Sequence, residues 1–481
     1  MRAIPGRMFR ALTCLLSIGL LMFSLMTSAM LVVSPKSGME NIPDSSYRAM
    51  EDYTYSIGVQ AYIYGLAPVI IQRTEQIYTT TPGPGHAPVN QFGHIDRLAT
   101  PNDTIIVTPN SDTIYSIAWL ELGKEPVIMH VPDTAGRYYV MQLLDAYTNN
   151  FNSIGRRTTG TKEGDFAITG PGWSGSLPAG VSEVKSPTDT VWVLGRILVE
   201  GQGDLPDAAA IQKQFTLTPL SEYGKPFSYD HKALSDYKKY VSSRDVQKNL
   251  TFFEELRVAL KNNPPPKGEE ALMAVFDAIG LGDNETPYGS GINPIMADGL
   301  GRAIKDGDLI VKSAWKNANG TKTNGWVYPT DIGTYGYDYL TRAAVAEGGL
   351  GANVPAEAIY AKAQADENGK PLSGTGKYVM HFARGNLPPV DAFWSLTMYN
   401  ATTYMLVANP EDRYAIGDRT PGLQYNPDGS LDIYIQHDSP AGEEPNWLPS
   451  PADNFYLILR MYQPGQEILK GKYQIPTVKE V

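Results

Sequence analysis

The chain contains a single cysteine, Cys14, among 481 residues, and that cysteine lies in the apolar stretch at the N-terminus. A mature protein without this stretch would have no thiol, which excludes disulfide bonds and cysteine-bound metals. Positive charge is also scarce, because 40 Lys and Arg residues stand against 51 Asp and Glu residues, with a formal charge of -11. Nucleic-acid binding requires a concentrated positive surface, so no nucleic-acid partner is expected.

The sequence also lacks the common signatures of catalysis. It has no Gly-x-Ser-x-Gly turn, no His-Glu-x-x-His zinc helix and no Gly-x-x-x-x-Gly-Lys phosphate loop. Gly299 and Gly301 lack the third glycine of a dinucleotide loop and do not follow a predicted strand. Neither an organic cofactor nor a metal site is predicted.

The N-terminus predicts export. Three arginines within the first ten residues precede a stretch at 11–35 that carries no charge, which is the pattern of a signal sequence. Small residues at 27–29 suit cleavage, while the apolar run is also long enough, at roughly 20 residues, to stay as a membrane anchor. We expect a periplasmic or secreted protein that touches a membrane only if residues 1–35 are retained.

Helical and strand patterns follow one another in blocks. From Asp44 to Tyr78 apolar residues recur at helical spacing, and Gly65 and Pro68 predict a break into two helices, because a proline ring clashes with the carbonyl four residues back. Strands separated by Gly- and Pro-rich turns are predicted at 104–108, 113–120, 127–130, 138–145 and 191–199. Helices are predicted at 205–215, 246–260, 269–279 and 294–315. Strands return at 378–383, 392–400, 431–437 and 455–462.

This order predicts an α+β fold that is mainly β, with two antiparallel β-sandwich-like domains, an N-terminal helical segment and a helical insert between the sandwiches. The expected division is a signal peptide or anchor at 1–35, helices and a first sandwich at 44–200, the helical insert at 201–330 and a second sandwich at 331–481. Strands do not alternate regularly with helices, which argues against a doubly wound parallel sheet.

Two groups of phrases are long enough to compare with known families. The first group consists of TPNSDTIYSIAWL at 108–120, VPD at 131–133 and RYYVMQLLD at 137–145, and it resembles the domain-of-unknown-function family numbered 1254. The second consists of FWSLTMY at 393–399, NWLP at 446–449 and FYLILRMY at 455–462, and it resembles the usual companion family, numbered 1214. The resemblance implies paired β-rich domains with helical additions in an exported bacterial protein, and it implies no settled activity.

Asparagine and aspartate residues crowd the strand ends of the predicted first sandwich. Asn102, Asn110 and Asp112 flank strand starts, and Asn150 follows the strand that begins at Tyr138. Loops at strand ends display binding groups on a rigid frame, so we predict that these side chains bind substrate and that Asp112 takes part in catalysis. The alternative is that each side chain only caps its own turn.

Strand parity selects two further candidates. Alternation along 138–145 places Tyr138 and Gln142 on one face of the strand, and the residues on the opposite face are Tyr139, Met141 and Leu143. The second set is the more apolar and is expected in the core. Tyr138 and Gln142 are therefore predicted to face the substrate.

Four other side chains complete the candidate set. Arg156 presents a planar fork suited to a carboxylate or phosphate. His381 lies in an apolar strand near Arg384 and Trp394, where a half-buried imidazole can act as a general base. The alternative for His381 is a core histidine bonded to a neighbouring carbonyl. Zinc on histidines at strand ends and calcium on aspartates in the loops are weaker alternatives.

Two functions stay open for this expected envelope protein. The first is an enzyme that acts on a small organic substrate by acid/base chemistry in a cleft of a β-rich domain. The second is a non-catalytic protein that binds a carbohydrate, a peptide or a protein partner. A small-molecule or carbohydrate ligand is expected, and the sequence is compatible with a homo-oligomer. Convergence of Asn102, Asp112, Arg156 and His381 in one pocket would favour the enzyme.

Overall fold

The computed structural model describes residues 44–104, 108–229, 245–318 and 320–481. Its α-helices are α1 (Asp44–Thr80), α2 (Leu205–Gln212), α3 (Thr251–Asn262), α4 (Glu270–Phe276), α5 (Pro294–Lys316), α6 (Tyr339–Gly348) and α7 (Gln466–Leu469). The helices expected in the central segment are confirmed, with some ends displaced by a few residues.

The first helix runs through Pro68 without a break, so the predicted split into two helices is wrong. Proline lacks the N–H that would bond the Tyr64 carbonyl. Arg342 supplies the missing donor, because its Nη2 donates to that carbonyl at 2.8 Å. A side chain on Gly65 would collide with Leu256 of α3, so the glycine serves close helix packing rather than a kink.

The helices α1, α3, α4, α5 and α6 share one apolar cluster and form a bundle. Within the described ranges, α1 is the one helix long and apolar enough to cross a membrane, and 67% of its most apolar stretch is buried inside the protein. That burial is typical of a core helix. The N-terminal helix therefore packs mainly with the central helical insert.

The first half of the strands forms a two-layered sandwich, here called sandwich 1. Its strands are β1 (Gly93–Ile95), β2 (Thr113–Glu121), β3 (Val127–Val131), β4 (Tyr139–Asp145), β5 (Asn150–Gly155), β6 (Gly164–Thr169), β7 (Val181–Lys185), β8 (Thr190–Leu198) and β9 (Thr216–Pro219). Inner sheet 1 has the order β1-β2-β8-β4-β5, and outer sheet 1 has the order β7-β6-β3-β9. The predicted strand 104–108 falls largely on residues 105–107, which lie outside the described residues.

The remaining strands form sandwich 2. They are β10 (Thr321–Thr323), β11 (Trp326–Tyr328), β12 (Ala358–Ala363), β13 (Tyr378–Phe382), β14 (Val390–Asn400), β15 (Ala415–Gly417), β16 (Leu431–Gln436), β17 (Trp447–Pro449), β18 (Phe455–Pro464) and β19 (Lys479–Glu480). Inner sheet 2 has the order β10-β11-β12-β18-β14-β15, and outer sheet 2 has the order β17-β16-β13-β19. The predicted α+β fold with two antiparallel sandwiches is confirmed.

The two sandwiches repeat one topology. Adding ten to each strand number of inner sheet 1 gives β11-β12-β18-β14-β15, which is the order of inner sheet 2 after β10. Adding ten to the strand numbers of outer sheet 1 gives the order of outer sheet 2. Both outer sheets contain one parallel pair, β6 with β7 and β16 with β17, among antiparallel neighbours. Each sandwich also carries a short helix, α2 or α7, between its last two strands. The chain thus contains the same sandwich twice.

The four sheets stack as outer sheet 1, inner sheet 1, inner sheet 2 and outer sheet 2. Tyr139, Met141 and Leu143 face the core of sandwich 1, as parity predicted. The opposite face of inner sheet 1 meets inner sheet 2 in a cluster that joins Tyr138 to Tyr462. The contact between the two inner sheets is called the interface below.

His94 on β1 predicts a loss of stability in acid. Its Nδ1 lies 3.0 Å from Ser116 Oγ, and burial lowers the pKa of His94 below the usual 6.5. The unfolded chain therefore binds the proton more readily, so stability begins to be lost as the pH falls below the unfolded-state pKa, and the loss is complete below the lower folded-state pKa. The urea midpoint should decline less between about pH 7 and pH 5 in His94→Asn than in the natural protein. Equal declines would refute this assignment.

Candidate functional site

Each sandwich contributes one acidic side chain to the other across the interface. Asp112 directly precedes β2, and Glu357 directly precedes the equivalent strand β12. Asp112 pairs with Arg419 of sandwich 2 at 3.0 Å, and Glu357 pairs with Arg157 of sandwich 1 at 2.6 Å. Contacts that are exchanged in this way are the mark of a two-fold relation. The interface is therefore pseudo-symmetric within one chain.

A hydroxyl supports each of these carboxylates. Ser395 Oγ donates to Asp112, and Tyr138 Oη donates to Glu357 at 2.8 Å. Both carboxylates are almost completely buried, and buried charges persist when they are paired and hydrogen-bonded. These acids therefore hold the two sandwiches together.

Equivalent glycines position the two arginines of these pairs. Gly155 pairs with Val140 of β4, and Gly417 pairs with Ser395 of β14. Each glycine lies two residues before its arginine, Arg157 or Arg419. A Cβ at either glycine would collide with a backbone carbonyl of the neighbouring strand. The glycines thus allow the edge strands β5 and β15 to approach closely.

The side chain of Arg196 lies at the centre of the interface and is 7% exposed. Its Nη1 donates to Gln142 Oε1 at 2.6 Å and to Asn353 Oδ1 at 3.5 Å, and its Nη2 donates to the Gly351 carbonyl at 2.9 Å. All of these partners are neutral. A buried guanidinium without a hydrogen-bonded carboxylate is unusual and is suited to receive an anion.

Arg460 occupies the equivalent position in sandwich 2. In register, Arg196 stands between Tyr115 and Val140, and Arg460 stands between Tyr360 and Ser395. The Arg460 guanidinium also has neutral hydrogen-bond partners in the described residues. They are Thr397 Oγ1 at 2.8 Å, Tyr399 Oη at 2.6 Å and the Thr108 carbonyl at 3.1 Å.

Tyrosines surround both guanidinium groups. Tyr115, Tyr360, Tyr462 and Tyr138 lie within electrostatic reach of Arg196, and burial opposes the charge of the guanidinium. Arginine nevertheless keeps its proton in proteins. Burial raises the pKa of Tyr462 and Tyr138 well above 10. The arginine therefore stays charged and these two tyrosines stay protonated at physiological pH.

Two of the tyrosine hydroxyls accept hydrogen bonds from amides. Asn110 Nδ2 donates to Tyr462 Oη at 2.7 Å, and Asn353 Nδ2 donates to Tyr360 Oη at 2.9 Å. Each hydroxyl therefore keeps its own proton available for a ligand. Tyr115 and Tyr360 are half-buried, whereas Tyr462 is fully buried, so the first two mark the side from which the interface meets solvent.

The interface carries excess positive charge. Its guanidinium groups are those of Arg156, Arg157, Arg196, Arg419 and Arg460, and the carboxylates near them are those of Asp112, Glu357 and Asp418. Among the described residues, cations therefore outnumber carboxylates there, even when the exposed Asp391 beside Arg156 is counted. In a chain with a formal charge of -11, this region is the opposite in sign and favours an anionic ligand.

Two open surface recesses lie away from the interface. One, of about 410 Å³, lies among α1, α3 and α5 and includes Arg73, which is paired with Glu255. The other, of about 550 Å³, lies beside residues 101–104 and 400–408. Neither gathers buried charged groups, so the interface holds more of the chemistry. Within the described ranges, no group of three or more His, Cys, Asp and Glu side chains is arranged to hold a metal.

Five of the predicted site residues lie at the interface. Asn110, Asp112, Tyr138 and Gln142 make the contacts given above. Arg156 bridges the sandwiches at the rim, where its Nη1 donates to the Asp391 carbonyl and to Gln463 Oε1, both at 2.7 Å. Their roles in ligand binding remain predictions.

The other five predicted residues lie elsewhere. His381 is on outer sheet 2, where its side chain is 55% exposed and Nδ1 lies 2.6 Å from Asp432 Oδ1. It alternates with the buried Tyr378, Met380 and Phe382, so the expected half-buried or core position is wrong. The structure therefore does not bring Asp112 and His381 into one cleft.

The remaining four also stand apart from the interface centre. Trp394 packs in the core of sandwich 2, and Arg384 is exposed. Asn102 is exposed in the loop before the undescribed residues 105–107. Asn150 is buried where its N–H donates to the Gly333 carbonyl at 2.6 Å.

The residues that sequence reasoning missed are those that repeat. Arg196, Arg460, Tyr115, Tyr360 and Glu357 were not among the candidates. The available signal was a pair of short phrases, Asp-Thr-Ile-Tyr at 112–115 and Glu-Ala-Ile-Tyr at 357–360. Met-His at 129–130 and 380–381 is a second such pair, and its members occupy equivalent places in β3 and β13.

The two sandwiches correspond to two family matches. Residues 89–219 match the model of a protein family of unknown function, DUF1254, and residues 357–466 match that of a second such family, DUF1214. Sandwich 1 is similar to the first family and sandwich 2 to the second. The resemblance found in the sequence is thereby confirmed. The DUF1254 match spans β1 to β9, and the DUF1214 match begins at Glu357 and spans β12 to β18.

Two solved structures are similar to this chain. The VPA0106 protein from Vibrio parahaemolyticus is 28% identical, with a TM-score of 0.67, and the match covers 89% of this chain and 100% of that chain. An uncharacterized protein from Burkholderia cenocepacia is 12% identical, with a TM-score of 0.43 and coverage of 91% and 97%. None of the curated proteins compared with the chain matches it. The likeness to the Vibrio protein concerns the fold of nearly the whole chain.

Proposed function

We propose that this protein binds a small organic anion at the interface between sandwich 1 and sandwich 2. The observation that carries the proposal is Arg196, a buried guanidinium whose hydrogen-bond partners among the described residues are all neutral. A carboxylate bound there would supply the missing countercharge through charge-assisted hydrogen bonds. The half-buried Tyr115 and Tyr360 would contact the ligand at the opening.

The proposal includes export to the periplasm or the cell exterior. It is supported by the basic residues and the uncharged stretch within residues 1–35. A binding protein for small anions would meet its ligand outside the cytoplasm. Mass spectrometry of the protein isolated from its native host would show whether this segment is removed.

Binding is supported better than acid/base catalysis. The carboxylates of Asp112 and Glu357 are held in ion pairs, and His381 lies on the far sheet. One observation favours catalysis as a second candidate: among the described residues Tyr115 has no hydrogen-bond partner for its hydroxyl and lies beside Arg196. A tyrosine next to a fixed cation could transfer a proton to or from a bound anion.

Thermal shift and calorimetry with small carboxylates, phosphate and sulfate would test the proposal. A ligand at 100 times its dissociation constant should raise stability by about 2.7 kcal/mol. Arg196→Gln should weaken binding by about 10- to 100-fold, because hydrogen bonds to charged groups contribute about 1.5–3 kcal/mol. Tyr115→Phe should bind more weakly with little change in stability.

Arg413→Gln is the matched control. This arginine also donates to main-chain carbonyls, those of Glu444 and Trp447, but makes these contacts at the edge of sandwich 2. It should bind the anion as the natural protein does. If Arg196→Gln retains full affinity, or if no anion in the series binds, the proposed site is rejected.

A further inference from the structure

The interface presents two equivalent guanidinium groups rather than one. Arg196 stands opposite Tyr115 in sandwich 1, and Arg460 stands opposite Tyr360 in sandwich 2, at matching register positions. Their first polar neighbours on the adjacent strand, Gln142 and Thr397, are equivalent as well. The same operation that relates the sandwiches therefore relates the two arginines.

The two guanidinium groups belong to one polar centre. Arg196 Nη1 contacts Asn353, Asn353 Nδ2 donates to Tyr360 at 2.9 Å, and Tyr360 is the cross-strand neighbour of Arg460. Cross-strand neighbours on one face lie about 5 Å apart. The Tyr462 hydroxyl is also within electrostatic reach of both arginines. A small ligand placed between the half-buried tyrosines would lie between both cations.

The acids nearby do not neutralise both groups. Glu357 is paired with Arg157. Asp112 lies within electrostatic reach of Arg460. However, Arg419 already pairs with Asp112 at 3.0 Å and with Asp418 at 3.2 Å. The interface keeps an excess of positive charge, and its two most buried arginines have only neutral hydrogen-bond partners among the described residues.

We infer that the ligand is a dicarboxylate whose two ends bind Arg196 and Arg460. The inference rests on the proposed function and names its ligand class. Two equivalent cations related by a pseudo-two-fold operation fit a molecule with two like ends. The tyrosine hydroxyls of Tyr360 and Tyr462, which accept from amides, donate their protons to the carboxylates.

The test compares ligands that differ by one charge. Calorimetry would use linear dicarboxylates from malonate to adipate, with succinamate and butyrate as partners of succinate that carry a single carboxylate. At least one dicarboxylate should bind the natural protein 10-fold or more tightly than any of the single-charge ligands. Arg196→Gln and Arg460→Gln should each lower the affinity for this dicarboxylate to the affinity for its half-amide. Arg413→Gln should leave the affinities for the dicarboxylate and for the half-amide unchanged.

The outcomes separate the two proposals. If single-charge ligands bind as tightly as the dicarboxylates, the dicarboxylate assignment is overturned while anion binding stands. The same holds if Arg460→Gln keeps full dicarboxylate affinity. If no carboxylate binds, the dicarboxylate assignment fails, and if phosphate and sulfate do not bind either, both proposals fail. Should Arg460→Gln not fold, the ligand comparison on the natural protein decides by itself.

Discussion

Replacing Arg342 by methionine should lower the free energy of unfolding by about 3 kcal/mol. Arg342 is buried and donates to the Tyr64 carbonyl that Pro68 leaves without its helical partner. An unsatisfied buried carbonyl costs about 1–3 kcal/mol. The guanidinium also lies over the rings of Tyr64, Tyr147 and Tyr339 at 4.9, 5.3 and 4.9 Å, and each such contact is worth about 0.5 kcal/mol or more. Urea unfolding would measure the loss.

The double variant with Pro68→Ala provides the control. Alanine restores an N–H that can bond the Tyr64 carbonyl, so Pro68→Ala combined with Arg342→Met should recover about 1–2 kcal/mol of the loss. Pro68→Ala alone should change stability little, because Arg342 already serves that carbonyl. A double variant no more stable than Arg342→Met would show that the helix does not depend on this donor.

Glu357→Ala should cost about 3 kcal/mol, because breaking a buried ion pair typically costs 3–5 kcal/mol. It leaves the Tyr138 hydroxyl and Arg157 without their acceptor. The value is set at the lower end because the Arg157 side chain is 31% exposed, so water screens part of the pair. Arg157→Ala should cost at least as much as Glu357→Ala, because it leaves the almost completely buried Glu357 carboxylate without its cation.

The pseudo-symmetry adds a second arm to this experiment. Asp112→Ala removes the carboxylate that Arg419 and Ser395 both contact, so it should also lower the free energy of unfolding. It should cost less than Glu357→Ala, since Arg419 keeps Asp418. A double-mutant cycle between Glu357 and Arg157 should give a clearly positive coupling energy. A coupling near zero would mean that these exchanged pairs do not join the sandwiches.

Local patterns predicted the elements well because they depend on neighbours in sequence. Alternation placed Tyr139 in a core and Gln142 on the opposite face, and both positions are observed. The same alternation would have put His381 outside, since its neighbours Met380 and Phe382 point inward. It fails for Trp394, because both faces of β14 are buried and parity cannot tell a sandwich core from the interface.

The site was harder to predict because it depends on contacts distant in sequence. Arg196 and Asn353 meet across 157 positions, and Asn110 meets Tyr462 across 352. Arg342 lies 278 positions from the Tyr64 carbonyl to which it donates. The residues around Pro68 alone therefore predicted a break in the helix. Only the folded chain brings such partners together. Short repeated phrases were the sequence trace of the pairing of the sandwiches.

The covalent link between the two sandwiches frees them from a rule that governs identical subunits. In a dimer of one gene product, every substitution appears on both sides of the axis. Here Val140 and Ser395 occupy matching positions, as do Gln142 and Thr397. Each half can change independently, so a fused pair can evolve unequal recognition of the two ends of a molecule while the shared scaffold stays intact.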